Sequence, residues 1–168
     1  MASDTLPQRF PIFPLSGALL LPGGNLPLNI FEPRYLQMTR DAMQTDRVIG
    51  MIQPRDGGGG AEAPPVYGTG CAGRITSFEE TQDGRYLITL TGVSRFDLVE
   101  ELVTVTPYRQ VVAAFDRFGA DLDPKPADVA RRAPLIEAMR TYFERQRIEI
   151  DWQAVDQAPF DGLVTSLA

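Results

Sequence analysis

Pro33 is bracketed by an acid and a base, Glu32 and Arg34, and Tyr35 follows at once. A carboxylate just ahead of a helix meets the positive end of the helix macrodipole. A carboxylate shielded from water also needs a cation or backbone N–H groups to stay charged. Glu32 is therefore expected to be at least partly buried, held by Arg74 or Arg95 from a neighbouring strand or by backbone amides. That chemistry anchors a polypeptide; it does not move protons. The other reactive groups point the same way. Histidine is absent from all 168 residues, which removes imidazole acid–base catalysis, Ser–His and Cys–His nucleophile pairs and the commonest zinc ligand. Cys71, the one cysteine, lies between Gly70 and Ala72 and reads as a small buried hydrophobe. Alone, it forms no internal disulfide, which fits a reducing compartment. Lys125 stands between two prolines, a poor place to hold a desolvated catalytic amine. The acidic pairs Glu79–Glu80, Glu100–Glu101 and Asp121/Asp123 fall in turns or on exposed strands, where solvated carboxylates are the rule. No catalytic residue, metal ligand or cofactor is expected.

The elements that must position Glu32 and Arg34 change character at Pro33. Leu26, Leu28 and Ile30 alternate with Pro27, Asn29 and Phe31, the period of a strand. Beyond Pro33, whose fixed φ suits a first helical turn, Tyr35, Leu36, Thr39 and Met43 fall on one helical stripe that runs to about Thr45. Upstream, residues 1–8 read as a disordered leader. Phe10–Leu15 alternates apolar residues with prolines, as an edge strand does, and Pro22-Gly23-Gly24 is a turn. Downstream, Val48–Gln53, Tyr67–Phe78, Arg85–Thr91, Arg95–Val105 and Tyr108–Phe115 read as strands. Asp83-Gly84 makes a hairpin turn, Gly92-Val93-Ser94 a second turn, and Glu100-Glu101 a bulge or kink. Gly57–Gly60 with Pro64-Pro65 reads as a mobile loop. It is no phosphate cradle, because Ala61 and Glu62 stand where a P-loop needs lysine.

About seven short strands interrupted by one helix predict a small barrel or strongly bent sheet rather than alternating parallel units. From Asp121 the pattern turns helical. After a linker at Asp123–Pro126, Leu135, Ile136, Met139, Tyr142 and Phe143 form one stripe of a helix interrupted by Pro134. A short helix over 152–157 is capped by Asp151, and another over 162–167 by Asp161. Trp152, Tyr142 and Phe143 read as packing residues. The apolar Leu163, Val164 and Leu167 are left facing outward, where a partner would cover them.

A net charge of −6 and a pI near 4.7 oppose non-specific attraction to phosphate backbones. Fifteen of the sixteen cations are arginine, which suits fixed, planar ion pairs. The N-terminus has no signal pattern, and the longest aliphatic run, Ala18–Leu21, is far short of a membrane span. A soluble, cytoplasmic protein with no membrane partner is expected.

The runs Phe10–Leu15, Leu20-Leu21-Pro22-Gly23 and Leu26–Tyr35 resemble the N-terminal substrate-binding domain of ATP-dependent Lon proteases. So do Asp46-Arg47, Gly70–Ile75, Asp83–Tyr86 and Gly92–Phe96, which occur in the family's order. Many members carry histidine where this protein has Asn29. The resemblance implies an α+β fold: a PUA-like β-barrel of short, mostly antiparallel strands with one inserted helix, followed by a C-terminal helical segment. The domains would be residues 1–120, the barrel, and 121–168, a helical part shortened relative to the family. The protein is expected to stand alone, without Lon's ATPase and Ser–Lys protease domains. It would be no enzyme but a bacterial polypeptide-binding domain that takes unfolded or tagged polypeptides, or serves as an adaptor to an ATP-dependent protease. Phe31, Tyr35, Tyr67 and Phe78 are the contact candidates. Glu32, Arg34, Arg74 and Arg95 are the structural ion-pair candidates. Self-association through the C-terminal helices is a further expectation. The alternative is an RNA-binding PUA-like module with Arg74, Arg85 and Arg95 along one face, which the acidic balance opposes.

Overall fold

The computed structural model describes residues 6–55, 63–123 and 131–166. The Gly57–Gly60 loop, most of the Asp123–Pro126 linker and residues 1–5 lie outside them. The polypeptide divides into two compact units, Met1–Asp123 and Pro124–Ala168.

The first unit holds one mixed six-stranded sheet. Its strands are β1 (Arg9–Pro14), β2 (Asn25–Ile30), β3 (Val48–Ile52), β4 (Thr69–Glu80), β5 (Tyr86–Leu102) and β6 (Gln110–Ala114). The order is β2-β5-β4-β3-β1-β6, and β6 also pairs with β5, so the pairings β5-β4-β3-β1-β6 return on themselves. Only β1 with β3 is parallel; every other pair is antiparallel. Helix α1 (Pro33–Met43) leaves β2 within three residues, with Pro33 in its first turn. The carbonyl of Glu32 accepts the amides of Tyr35 and Leu36, both at 2.9 Å. Among the described residues no helix is long and apolar enough to cross a membrane.

Two apolar clusters explain the strand patterns. One draws Phe10 and Ile12 from β1, Val48 and Ile52 from β3, Ala72 from β4, Phe96 from β5, and Val111 and Ala113 from β6. These are the five strands of the closed cycle. The other cluster packs Phe13, Ile49, Met51, Ile75, Ile88 and Leu90 beneath Tyr35, Met38 and Ala42 of α1. Successive side chains of a strand point to opposite faces, so Val48 and Ile52 enter one cluster while Ile49 and Met51 enter the other. All five residues of β3 are buried for that reason. Leu6 is buried and the carbonyl of Gln8 accepts the Ala113 amide at 2.8 Å, so the expected leader is structured from residue 6 onward.

The expected turn at Gly92-Val93-Ser94 is absent: β5 runs straight through it for 17 residues. Gly92 instead lets another segment cross. A Cβ there would lie 2.0 Å from the carbonyl oxygen of Leu21. The backbone of Gly23 and Gly24 also exchanges hydrogen bonds of 2.8 Å with Gly92. The seven expected strands are thus six, and one of them is long. The expected kink at Glu100-Glu101 falls where the β5–β6 register shifts, between Leu98 and Glu100.

The first unit ends in a short helix, α2 (Gly119–Leu122), and the second packs helix α3 (Arg132–Gln146), α4 (Trp152–Gln157) and α5 (Phe160–Ser166) around Met139, Val155 and Leu163. Pro134 does not break α3. It lies in the first turn, where no intrahelical partner is required of its missing N–H. The Asp151 carboxylate caps α4, accepting the amides of Gln153 and Ala154 at 3.0 and 3.1 Å. Helix α5 begins at Phe160, ahead of the expected start at residue 162, and the Leu163 amide donates to the Pro159 carbonyl at 3.1 Å. Tyr142 is exposed rather than packed, whereas Phe143 and Trp152 lie against the small core.

Candidate functional site

The start of α1 opens on a cleft of about 1150 Å³ in the first unit. Ile12, Pro14 and Leu15 from the end of β1 line one side, and Glu32–Tyr35 line another. The connection from β5 to β6, through Val103, Thr104 and residues 106–109, makes a third, and Pro54, Ala63 and Pro64 a fourth. The cleft therefore sits where β1, β2–α1 and the β5–β6 hairpin converge. Of the sequence candidates, it brings together Glu32, Arg34 and Tyr35.

Two ion pairs border the cleft. Arg34 bonds Glu32 at 3.0 Å through both Nε and Nη2. Arg109 grips Glu101 with two parallel bonds, Nε to Oε1 at 2.6 Å and Nη2 to Oε2 at 2.7 Å, and donates Nη1 to the Pro64 carbonyl at 2.7 Å. This planar, two-pronged grip holds the β5–β6 hairpin against the Pro64 segment. Hydrogen bonding from Arg109 also holds the Glu101 carboxyl below its ordinary value.

The expected partners of Glu32 are corrected by this geometry. Its carboxylate has neither Arg74 nor Arg95 beside it, and it makes no side-chain cap to α1. The helix begins immediately after it, so Arg34, two residues on, reaches it first. The pair is solvated, with side-chain exposures of 44 % for Glu32 and 36 % for Arg34, and such pairs contribute roughly 0–1 kcal/mol. Arg74 donates to the Asp46 carbonyl at 3.0 Å. Arg95 is fastened to Asp121 by its backbone amide, Nε and Nη2, all at 2.8–2.9 Å, and lies over the Phe118 ring. Arg85 pairs with Asp83 at 2.8 Å. The three arginines set against a nucleic acid are thus already engaged within the protein, and nothing favours the RNA alternative.

Tyr35 is 8 % exposed, its ring 4.2 Å from that of Phe13 and 4.7 Å beneath the Arg34 guanidinium. Burial raises its phenol above the ordinary value, against the lowering charges of Arg34 and Arg109. Tyr108 donates its hydroxyl to Asp41 at 2.8 Å, and burial together with that bond pushes it up to about 12. Both phenols are therefore neutral donors at physiological pH. Cys71, raised to about 12 chiefly by burial, is a protonated thiol there and not a nucleophile.

The other contact candidates lie apart from the cleft. Phe31, 63 % exposed, precedes it in the sequence without lining it. Tyr67 is exposed, with Arg55 over its ring, and Phe78 rests against Tyr86 with ring centroids 4.9 Å apart. Sequence reasoning missed Arg109, Tyr108, Val103 and Val105. The two valines, each 104 % exposed, flank Thr104; Val103 and Thr104 line the cleft. Their alternation with threonine reads as a strand. The available signal was Pro107, which cannot donate to a ladder; pairing has already ended at Leu102.

Comparison with known proteins agrees with this architecture. The sequence is 33 % identical over 110 residues to Lon protease 2 of Myxococcus xanthus, a match covering 62 % of this protein but only 13 % of that one's length. A Lon N-terminal domain protein from Xanthomonas campestris superposes with a TM-score of 0.52 at 30 % identity, over 64 % of this protein and 59 % of that one. The N-terminal domain of Mycobacterium avium complex Lon protease gives a TM-score of 0.60 over 88 % of this protein and 73 % of that one; at 12 % identity it is a likeness of fold alone. The profile of the ATP-dependent protease La (LON) substrate-binding domain matches residues 9–163, and the protein belongs to that family.

Proposed function

We propose that this protein is a non-catalytic, cytoplasmic polypeptide-binding domain that captures unfolded or tagged polypeptides, acting as an adaptor for an ATP-dependent protease. Family membership supports the polypeptide class of ligand. The observation that carries the reading is the open cleft at the start of α1, with solvent-facing Val103 in its wall and the exposed Val105 on the same connection. Exposed apolar side chains rimmed by polar groups are the usual mark of a protein-binding surface. On this reading the closed cycle of strands is a PUA-like β-barrel, residues from about 121 onward are a helical subdomain, and self-association runs through its exposed Tyr142, Ile148 and Val164. Binding to a panel of permanently unfolded proteins, set against their native counterparts, tests the function. Saturable binding confined to the unfolded forms is expected; no saturable binding below millimolar concentration overturns it. Mass measured in solution across a dilution series tests the self-association.

A further inference from the structure

Three tyrosines of the first unit are buried, and two of them have hydrogen-bond partners. The Tyr86 oxygen accepts from Arg40 at 3.1 Å, and Tyr108 donates to Asp41 at 2.8 Å. Tyr35 has no such partner for its hydroxyl among the described residues. Yet no fully enclosed side-chain oxygen or nitrogen is left unsatisfied there. The hydroxyl of this otherwise buried residue therefore opens onto the cleft that Tyr35 lines. A buried phenol normally finds a partner, and here the remaining direction is toward whatever occupies the cleft.

The charges around it say what that occupant is. Arg34 and Arg109 border the cleft, and each is matched by its own carboxylate, Glu32 and Glu101. The two pairs cancel, so a ligand carboxylate gains no net attraction to set against the cost of its desolvation. A neutral acceptor carries a smaller cost. The walls formed by Pro14, Leu15 and Val103 suit apolar side chains on either side of it. Resting on the polypeptide-binding reading above, we infer that the cleft takes an internal, extended segment of an unfolded polypeptide, apolar in its side chains, with the Tyr35 hydroxyl donating to one of its backbone carbonyls. A free terminal carboxylate or an acidic tag is disfavoured.

Two peptides of one apolar sequence, one acetylated and amidated and one with a free carboxylate, together with a permanently unfolded protein, are titrated into the full-length protein and into Tyr35→Phe. The substitution removes only the hydroxyl and keeps the ring against Phe13. A neutral hydrogen bond is worth roughly three- to tenfold in affinity, and that loss is expected for the amidated peptide and the unfolded protein. The unfolding midpoint should stay unchanged, because no internal bond is broken. The Tyr35 Cζ resonance of protein labelled with ¹³C-tyrosine should shift on adding the amidated peptide. Equal binding by wild type and Tyr35→Phe, or an unshifted resonance under saturating peptide, overturns the inference while leaving polypeptide binding intact. Tighter binding of the free carboxylate overturns it in favour of a terminus-binding site. Absence of binding by every probe overturns both readings.

Discussion

Asp121 shows what a single carboxylate does when its partner is well placed. Its side chain is 9 % exposed and takes three bonds from Arg95, one of them from the backbone amide. Hydrogen bonding from Arg95 lowers its pKa, as Arg109 does for Glu101. In both cases the folded state binds its proton less readily than the unfolded polypeptide. Their stabilisation is therefore complete above the ordinary carboxylate pKa of about 4 and is lost as pH falls through the depressed folded values. Asp121→Asn is expected to cost about 1–2 kcal/mol at neutral pH, discounted for the solvated Arg95 side chain. It should also flatten the acid limb of stability, which denaturant titrations between pH 3 and about 7 would read. Glu32→Ala should move the midpoint far less, because the Glu32–Arg34 pair lies in solvent.

At the scale of elements, the long strand β5 depends on Gly92. The segment from Leu21 to Gly24 crosses it at a distance that admits no side chain. Gly92→Ala is expected to destabilise the first unit by about 3 kcal/mol, at the upper end of overpacking costs because the opposing atom is backbone. A loss below about 1 kcal/mol in equilibrium unfolding would show that the crossing segment moves freely aside. Much at this scale was legible beforehand. The β2-to-α1 switch could be read from the change of period at Pro33, β3 from its apolar run, and the α4 cap from Asp151. The false turn at Gly92 came from the ambiguity of glycine, which serves a turn and a close approach equally well. The break expected in α3 came from Pro134, whose effect depends on which turn of the helix it occupies.

For the whole molecule, the two units differ in how much core they possess. The first is built on two apolar clusters, the second on Met139, Val155 and Leu163 with partly buried neighbours. So small a helical unit has little margin. Met139→Ala is expected to remove about 2 kcal/mol or more from it by cavity formation. Hydrogen exchange should then quicken across Arg132–Gln146 while β3, β4 and β5 keep their protection; uniform loss of protection in both units would show a single cooperative fold. The sequence alone determined most of the elements and narrowed their chemistry, because a protein without histidine and with one cysteine has no imidazole and no internal disulfide. It determined the family too, because local runs such as Leu26–Tyr35 keep their meaning without the rest of the molecule. Only the tertiary structure decided which charges pair and which phenol is left over. Those outcomes rest on distances between segments far apart in sequence, such as Arg109 with Glu101 and Pro64, and no local pattern encodes a distance across a fold.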